Sequence, residues 1–119
     1  MVKGVVELDE GIIDLPLSRS LRDHEKIAVS FHKSREAKTF YRVLKRGKDR
    51  TLLELTPHTG RTHQLRVHLA YLGHPILGDS KYGDKNSFHR LALHAKDIGF
   101  IHPRTEKFME FTSEVPFGL

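Results

Sequence analysis

The sequence predicts an α+β fold: a mixed, largely antiparallel sheet with one main helix, at about residues 62–72, packed on it. Three observations carry this. Residues 39–45 and 51–56 are β-rich runs of alternating character joined by a short segment containing Gly47, as in a hairpin. Residues 63–72 place leucines at helical spacing and stop at Gly73 and Pro75, the punctuation of a helix C-terminus. A chain of 119 residues has the usual size of one domain, so residues 1–119 read as a single one.

In chain order, residues 2–8 read as a short strand and residues 11–15 as another, closed by Pro16 because proline cannot donate to a ladder. Residues 26–31 form a further strand candidate. On the hairpin that follows, Tyr41 and Val43 share one face, Phe40, Arg42 and Leu44 the other, and Leu53 and Leu55 supply the matching apolar side of the return strand. Thr62 suits a helix N-cap. At about 100° per residue, Leu65, Leu69 and Leu72 then fall on one side and His63, Arg66 and Ala70 on the opposite one. Residues 76–84 read as extended and turn segments. Residues 91–95 suit a helix or an extended segment equally. Residues 98–101 and 107–111 flank a polar turn and form a second hairpin. No internal repeat or low-complexity tract appears.

Twenty Lys and Arg against fifteen Asp and Glu give a net charge of +5, which favours an anionic partner. The excess is local: Lys33, Arg35, Lys38, Arg42, Lys45, Arg46, Lys48 and Arg50 face only Glu36 and Asp49 in that stretch. A solvated hairpin face and a nucleic-acid surface explain this run equally well. The lack of cysteine excludes a disulfide scaffold, a thiolate nucleophile and Cys-ligated zinc, and fits a cytoplasmic location. No apolar run approaches the length of a membrane span, so no membrane partner is expected. His63 and His68 lie about 140° apart around the helix, and no metal is expected.

The Gly60-Arg61-Thr62 turn into the helix offers free N–H groups and the cations Arg61 and Arg66, which suit a phosphate or carboxylate. A well-capped surface helix explains Thr62 but not an arginine set away from the leucines. The run His58-Thr59-Gly60-Arg61-Thr62-His63-Gln64-Leu65-Arg66-Val67-His68-Leu69, then Leu72-Gly73-His74-Pro75-Ile76-Leu77-Gly78-Asp79, then Tyr82-Gly83 resembles, in order and spacing, the signature of the RluA-type RNA pseudouridine synthases. Arg90-Leu91-Ala92-Leu93-His94-Ala95, Phe100-Ile101-His102-Pro103 and residues 11–19 are similar to further motifs of that family. Ser18 stands where the family commonly has glycine, and residues 20–37 match loosely.

The resemblance implies isomerisation of uridine to pseudouridine in ribosomal or transfer RNA, with the base flipped into a pocket and no cofactor. It makes Arg66 the arginine that pairs with the catalytic aspartate, holding it ionised through a planar guanidinium. Arg61, Thr62, His63 and Gln64 become candidates for RNA or pocket contacts. Leu93 is a wall beside the uracil or a core residue, and Tyr82 a stacking platform or a turn residue. In the family the aspartate belongs to a His-Arg-Leu-Asp motif upstream of the matched segments. None of the seven aspartates here has that context. The chain is therefore expected to be the C-terminal portion of a catalytic domain, inactive alone, leaving Arg66 without its carboxylate. Its expected partners are RNA, a missing N-terminal segment, or a second copy through exposed sheet edges. The alternative is a non-catalytic RNA-binding module.

Overall fold

The computed structural model describes residues 1–20, 22 and 26–94 in full, and the backbone pairing of residues 97–101 and 108–112. Its strands are β1 (Val2–Lys3), β2 (Glu10–Asp14), β3 (Leu17–Arg19), β4 (Ile27–Val29), β5 (Lys38–Arg46), β6 (Arg50–Pro57), β7 (Asp97–Ile101) and β8 (Phe108–Thr112); the helix α1 is Gln64–Tyr71, and a 3-10 turn covers Lys85–Ser87. The main sheet runs β1-β6-β5-β2, and β3-β4 and β7-β8 are separate hairpins. Every pairing is antiparallel, so the α+β fold with a largely antiparallel sheet and one helix is what forms.

The β5–β6 hairpin follows the alternation in its sequence. Tyr41 opposes Leu55 and Val43 opposes Leu53; Tyr41 is buried in the main core, with Val43, Leu53 and Leu55 packed against it. Leu44, on the other face, is exposed. Gly11 on β2 lies directly beneath the Tyr41 ring, where an added Cβ would meet the ring carbons at 2.8 Å. The first strand is shorter than expected. It ends after Lys3 because Gly4 turns with φ +79°, and the Thr51 hydroxyl donates to the Gly4 carbonyl (2.8 Å) while accepting from the Val6 N–H (3.1 Å). The sequence offered no sign of β3: three residues after Pro16 are too few to show a period.

The helix also departs from expectation. It begins at Gln64, two residues late, because His63 is left-handed (φ 54°) and Thr62 contributes no cap. The Gln64 side chain holds the turn instead: its carbonyl oxygen accepts from the Thr59 hydroxyl (2.6 Å) and the Arg61 N–H (3.2 Å). The leucine stripe is not the buried face. Leu69 is buried but Leu72 is exposed, and the face turned inward is Gln64, Val67, His68 and Leu69. Polar residues can occupy it because each bond is satisfied. Gln64 donates to the Lys38 carbonyl and the Thr39 hydroxyl (2.8 and 2.9 Å). That hydroxyl meets His68 Nδ1 at 2.9 Å, and His68 Nε2 lies 2.8 Å from the Leu15 carbonyl. The carbonyl requires Nε2 to carry a proton, and in the neutral imidazole Nδ1 then accepts from the Thr39 hydroxyl. Burial lowers the His68 pKa, with the Leu15 carbonyl and Asp14 opposing.

Past the helix, residues 91–94 are neither helix nor strand; Ala92 is buried, and its N–H donates to the Leu77 carbonyl. His102 and the turn of the last hairpin lie outside the described residues.

Candidate functional site

Leu77-Gly78-Asp79 crosses beneath α1 in a conformation only glycine permits. Gly78 has φ +77°, and a Cβ there would overlap the Arg90 carbonyl. This places Asp79 under the helix, completely buried. Its Oδ1 accepts the N–H groups of Lys81 (3.0 Å) and Tyr82 (3.1 Å), an Asx-type turn that fixes the carboxylate. The guanidinium of Arg66 completes the set, Nε to Oδ2 at 3.0 Å and Nη2 to Oδ1 at 2.7 Å. Arg66 therefore does not lack a carboxylate, as the sequence suggested; Asp79, thirteen residues on, holds it in a bidentate pair. Burial raises the Asp79 pKa, but the Arg66 bond and the two N–H donors outweigh it, and the carboxyl sits below its ordinary value. The same bond raises Arg66.

The other edge of the guanidinium is uncommitted. No described residue accepts from Nη1, and the Arg66 side chain keeps 19% exposure. The Tyr82 ring packs against this guanidinium, 5.3 Å from its carbon to the centroid, a cation–π contact that sets the plane. The Tyr82 hydroxyl accepts the Ile27 N–H (3.0 Å) and meets His63 Nδ1 at 2.9 Å, a contact in which the hydroxyl donates when Nδ1 carries no proton. Burial lowers the His63 pKa, and the positive charges of Arg66 and Lys81 add to the effect against Asp79.

Of the residues singled out by sequence, the structure thus gathers Arg66, His63 and Tyr82 into one site. Gln64 is not on that surface: it is buried, and its amide is spent on the turn. Arg61 lies at the side, with Nε donating to the Glu36 carbonyl (2.8 Å), and Thr62 is exposed next to it. Leu93 packs half-buried against the main core. Asp79 was missed. A signal existed in the sequence, since aspartate after glycine and two residues before Lys81-Tyr82 is Asx-turn chemistry. Among the described residues, no group of three His, Cys, Asp or Glu is placed to hold a metal ion.

Comparisons with known proteins give one consistent result. The family model described as RNA pseudouridylate synthase matches residues 3–71. The uncharacterized RNA pseudouridine synthase YlyB of Bacillus subtilis is 42% identical over 118 residues, 98% of this chain and 39% of that protein. The dual-specificity RNA pseudouridine synthase RluA of Vibrio cholerae is 44% identical, with 87% of this chain and 44% of the relative covered. Among solved structures, human RNA pseudouridylate synthase domain containing 1 superposes with a TM-score of 0.87 at 27% identity, covering 98% of this chain and 52% of that one. The chain thus spans about two fifths of these curated relatives.

Proposed function

Since the chain belongs to the RluA-type RNA pseudouridine synthase family, we propose that it supplies the arginine side of a site that isomerises uridine to pseudouridine in RNA. The carrying observation is the geometry of Arg66. Asp79 takes the Nε–Nη2 edge and Tyr82 packs against the plane, so the Nη1 edge is presented in a fixed orientation. An aspartate from another segment would meet that edge already ordered, and a guanidinium there keeps such a carboxylate ionised beside a base. Asp79 itself is no nucleophile: it is buried, and its oxygens already accept four hydrogen bonds.

In the reaction the family resemblance implies, an aspartate attacks the nucleotide and the glycosidic bond to nitrogen breaks; the uracil rotates, a bond to its carbon C5 forms as the aspartate is released, and C5 gives up its proton while the freed nitrogen takes one up. This chain's part is to hold the carboxylate ionised at Arg66 and to wall the pocket, with His63 and Tyr82 at its edge. In this reading residues 1–119 are the C-terminal portion of the catalytic domain, the substrate is ribosomal or transfer RNA, and the protein works in the cytoplasm. An upstream segment, or a second copy, would cover the exposed Ile12 on the edge strand β2.

The test is pseudouridine formation in an RNA transcript, once with this chain alone and once with it joined to an upstream segment carrying His-Arg-Leu-Asp. Product only in the joined protein is expected. Product from the chain alone would overturn the division of labour, and none from a folded joined protein would overturn the activity.

A further inference from the structure

The basic run of residues 33–50 separates into two groups in space. Four of its cations are paired on or beside the sheet: Lys38 with Glu36, Arg42 with Glu54, Arg46 with Asp9 and Arg50 with Asp49; Lys45 and Lys48 lie on and beyond the β5 end of the hairpin, away from the second group. Lys33 and Arg35 form no ion pair with any described carboxylate, and both are exposed. They do not simply face bulk water. With Arg19 and Arg61 they line a cavity of about 450 Å³ between the β3–β4 hairpin and the turn before α1. The volume falls in the range of about 300–1,000 Å³ typical of ligand sites, enough for a nucleotide unit rather than a single ion.

The lining has a definite chemistry. Its described lining residues include four cations, the hydroxyl side chains of Ser18 and Thr62 and the apolar Leu17 and Ile27, with no carboxylate and no aromatic ring among them. Cations and hydroxyls suit phosphodiester oxygens, whereas a base-reading site would carry a stacking ring. Lys33 is left-handed (φ 48°), a conformation that costs a lysine of order 1 kcal/mol or more and is commonest at functional positions. Backbone hydrogen bonds between Leu17 and Arg35, 2.9 Å in both directions, fix the loop that presents the two cations. The cavity also adjoins the Arg66 site. Ile27 of its lining donates its N–H to the Tyr82 hydroxyl, and Thr62 of its lining precedes His63, bonded to the same hydroxyl.

We infer that this cavity seats the sugar–phosphate backbone of the RNA strand next to the nucleotide held at Arg66, with Lys33 and Arg35 as its principal phosphate contacts. The inference rests on RNA being the substrate. A backbone clamp at this distance fixes the strand without reading its sequence, while the flipped base enters beside Tyr82.

The test is the binding of a labelled single-stranded oligouridylate to this chain by fluorescence anisotropy over a salt series, with circular dichroism confirming the fold of each variant. Lys33→Asn, which tolerates a left-handed backbone, is combined with Arg35→Gln. Losing two phosphate contacts at about 0.7 counterions each lowers the salt slope by roughly 1.4 and weakens binding roughly 25-fold at 0.1 M salt. Arg35→Gln alone carries half the slope change and stands in if the double variant fails to fold. A control of equal charge loss, Lys3→Ala with Lys48→Ala, should leave the slope nearly unchanged. If the cavity pair and the control lose affinity equally, or neither loses any, the cavity is not the seat and RNA binding stands. If the unsubstituted chain binds no RNA, both the cavity and the RNA reading fail.

Discussion

Replacing Asp79 by asparagine tests how Arg66 is held. The side chain keeps its shape, so packing is preserved and only the bonding changes. Asp79 accepts from Arg66 Nε and Nη2 at 3.0 and 2.7 Å and from the N–H groups of Lys81 and Tyr82 at 3.0 and 3.1 Å. The single oxygen of an asparagine amide can keep the two backbone donors and one guanidinium bond. Its NH2 then faces the Arg66 Nε–H, donor against donor. One charge-assisted hydrogen bond is lost, worth about 1.5–3 kcal/mol, and a partly buried donor is left without an acceptor. A total of about 3 kcal/mol follows, less any part that water recovers at the exposed edge of Arg66. For a chain of 119 residues this is a fall in Tm of roughly 10–15 °C.

The reverse change should cost more. Arg66→Ala leaves a carboxylate that is 0% exposed without its counterion, about 3–5 kcal/mol, whereas Asp79→Asn leaves a cation that still reaches water. The double variant should cost less than the two single changes summed. Urea and thermal unfolding followed by circular dichroism at neutral pH read all three. Asp79→Asn within about 0.5 kcal/mol of the unsubstituted chain, or Arg66→Ala milder than Asp79→Asn, would refute the reasoning.

Two further outcomes follow from buried groups. Gly78→Ala should destabilise by about 2–4 kcal/mol, combining a positive φ with overlap on the Arg90 carbonyl; an unfolding midpoint equal to that of the unsubstituted chain would contradict the backbone path beneath the helix. The folded pKa of His68 is lowered from 6.5 by burial, so below that value the unfolded chain binds a proton that the folded chain resists. Stability should therefore be level at higher pH and fall as the pH drops below about 6.5, with His63 acting in the same direction. Urea midpoints at mildly alkaline and mildly acid pH measure the drop, and His68→Gln should make it shallower; an unchanged drop would show that His68 is not the group responsible.

What was legible in the sequence was local. The β5–β6 hairpin announces itself because Tyr41, Val43, Leu53 and Leu55 alternate with outward-facing residues, and one sheet face makes the core. The arginine of the site was legible as well, since Arg66 falls off the leucine side of its helix. The buried helix face was not. Gln64 was expected to contact RNA or the pocket and nothing in the sequence marked His68 as buried; Thr39 and the Leu15 carbonyl, supplied by distant segments, satisfy their polar atoms inside. Asp79 was hidden for a similar reason: its turn is local, but its pairing with Arg66 exists only after Gly78 carries the chain beneath the helix. The basic run looked uniform in sequence because two of the carboxylates that pair with it, Asp9 and Glu54, come from segments outside the run.

The central claim is that Arg66 acts through a guanidinium fork fixed on one side by Asp79 and open on the other. Arg66→Lys tests it most directly, in this chain joined to an upstream segment carrying His-Arg-Leu-Asp. Lysine keeps the charge and can still pair with buried Asp79, so the fold should survive, but a single ammonium cannot serve two carboxylates in one plane. Pseudouridine formation should fall by about 100-fold or more, with the unfolding transition largely retained. A lysine variant that modifies the transcript at the unsubstituted rate would contradict the account.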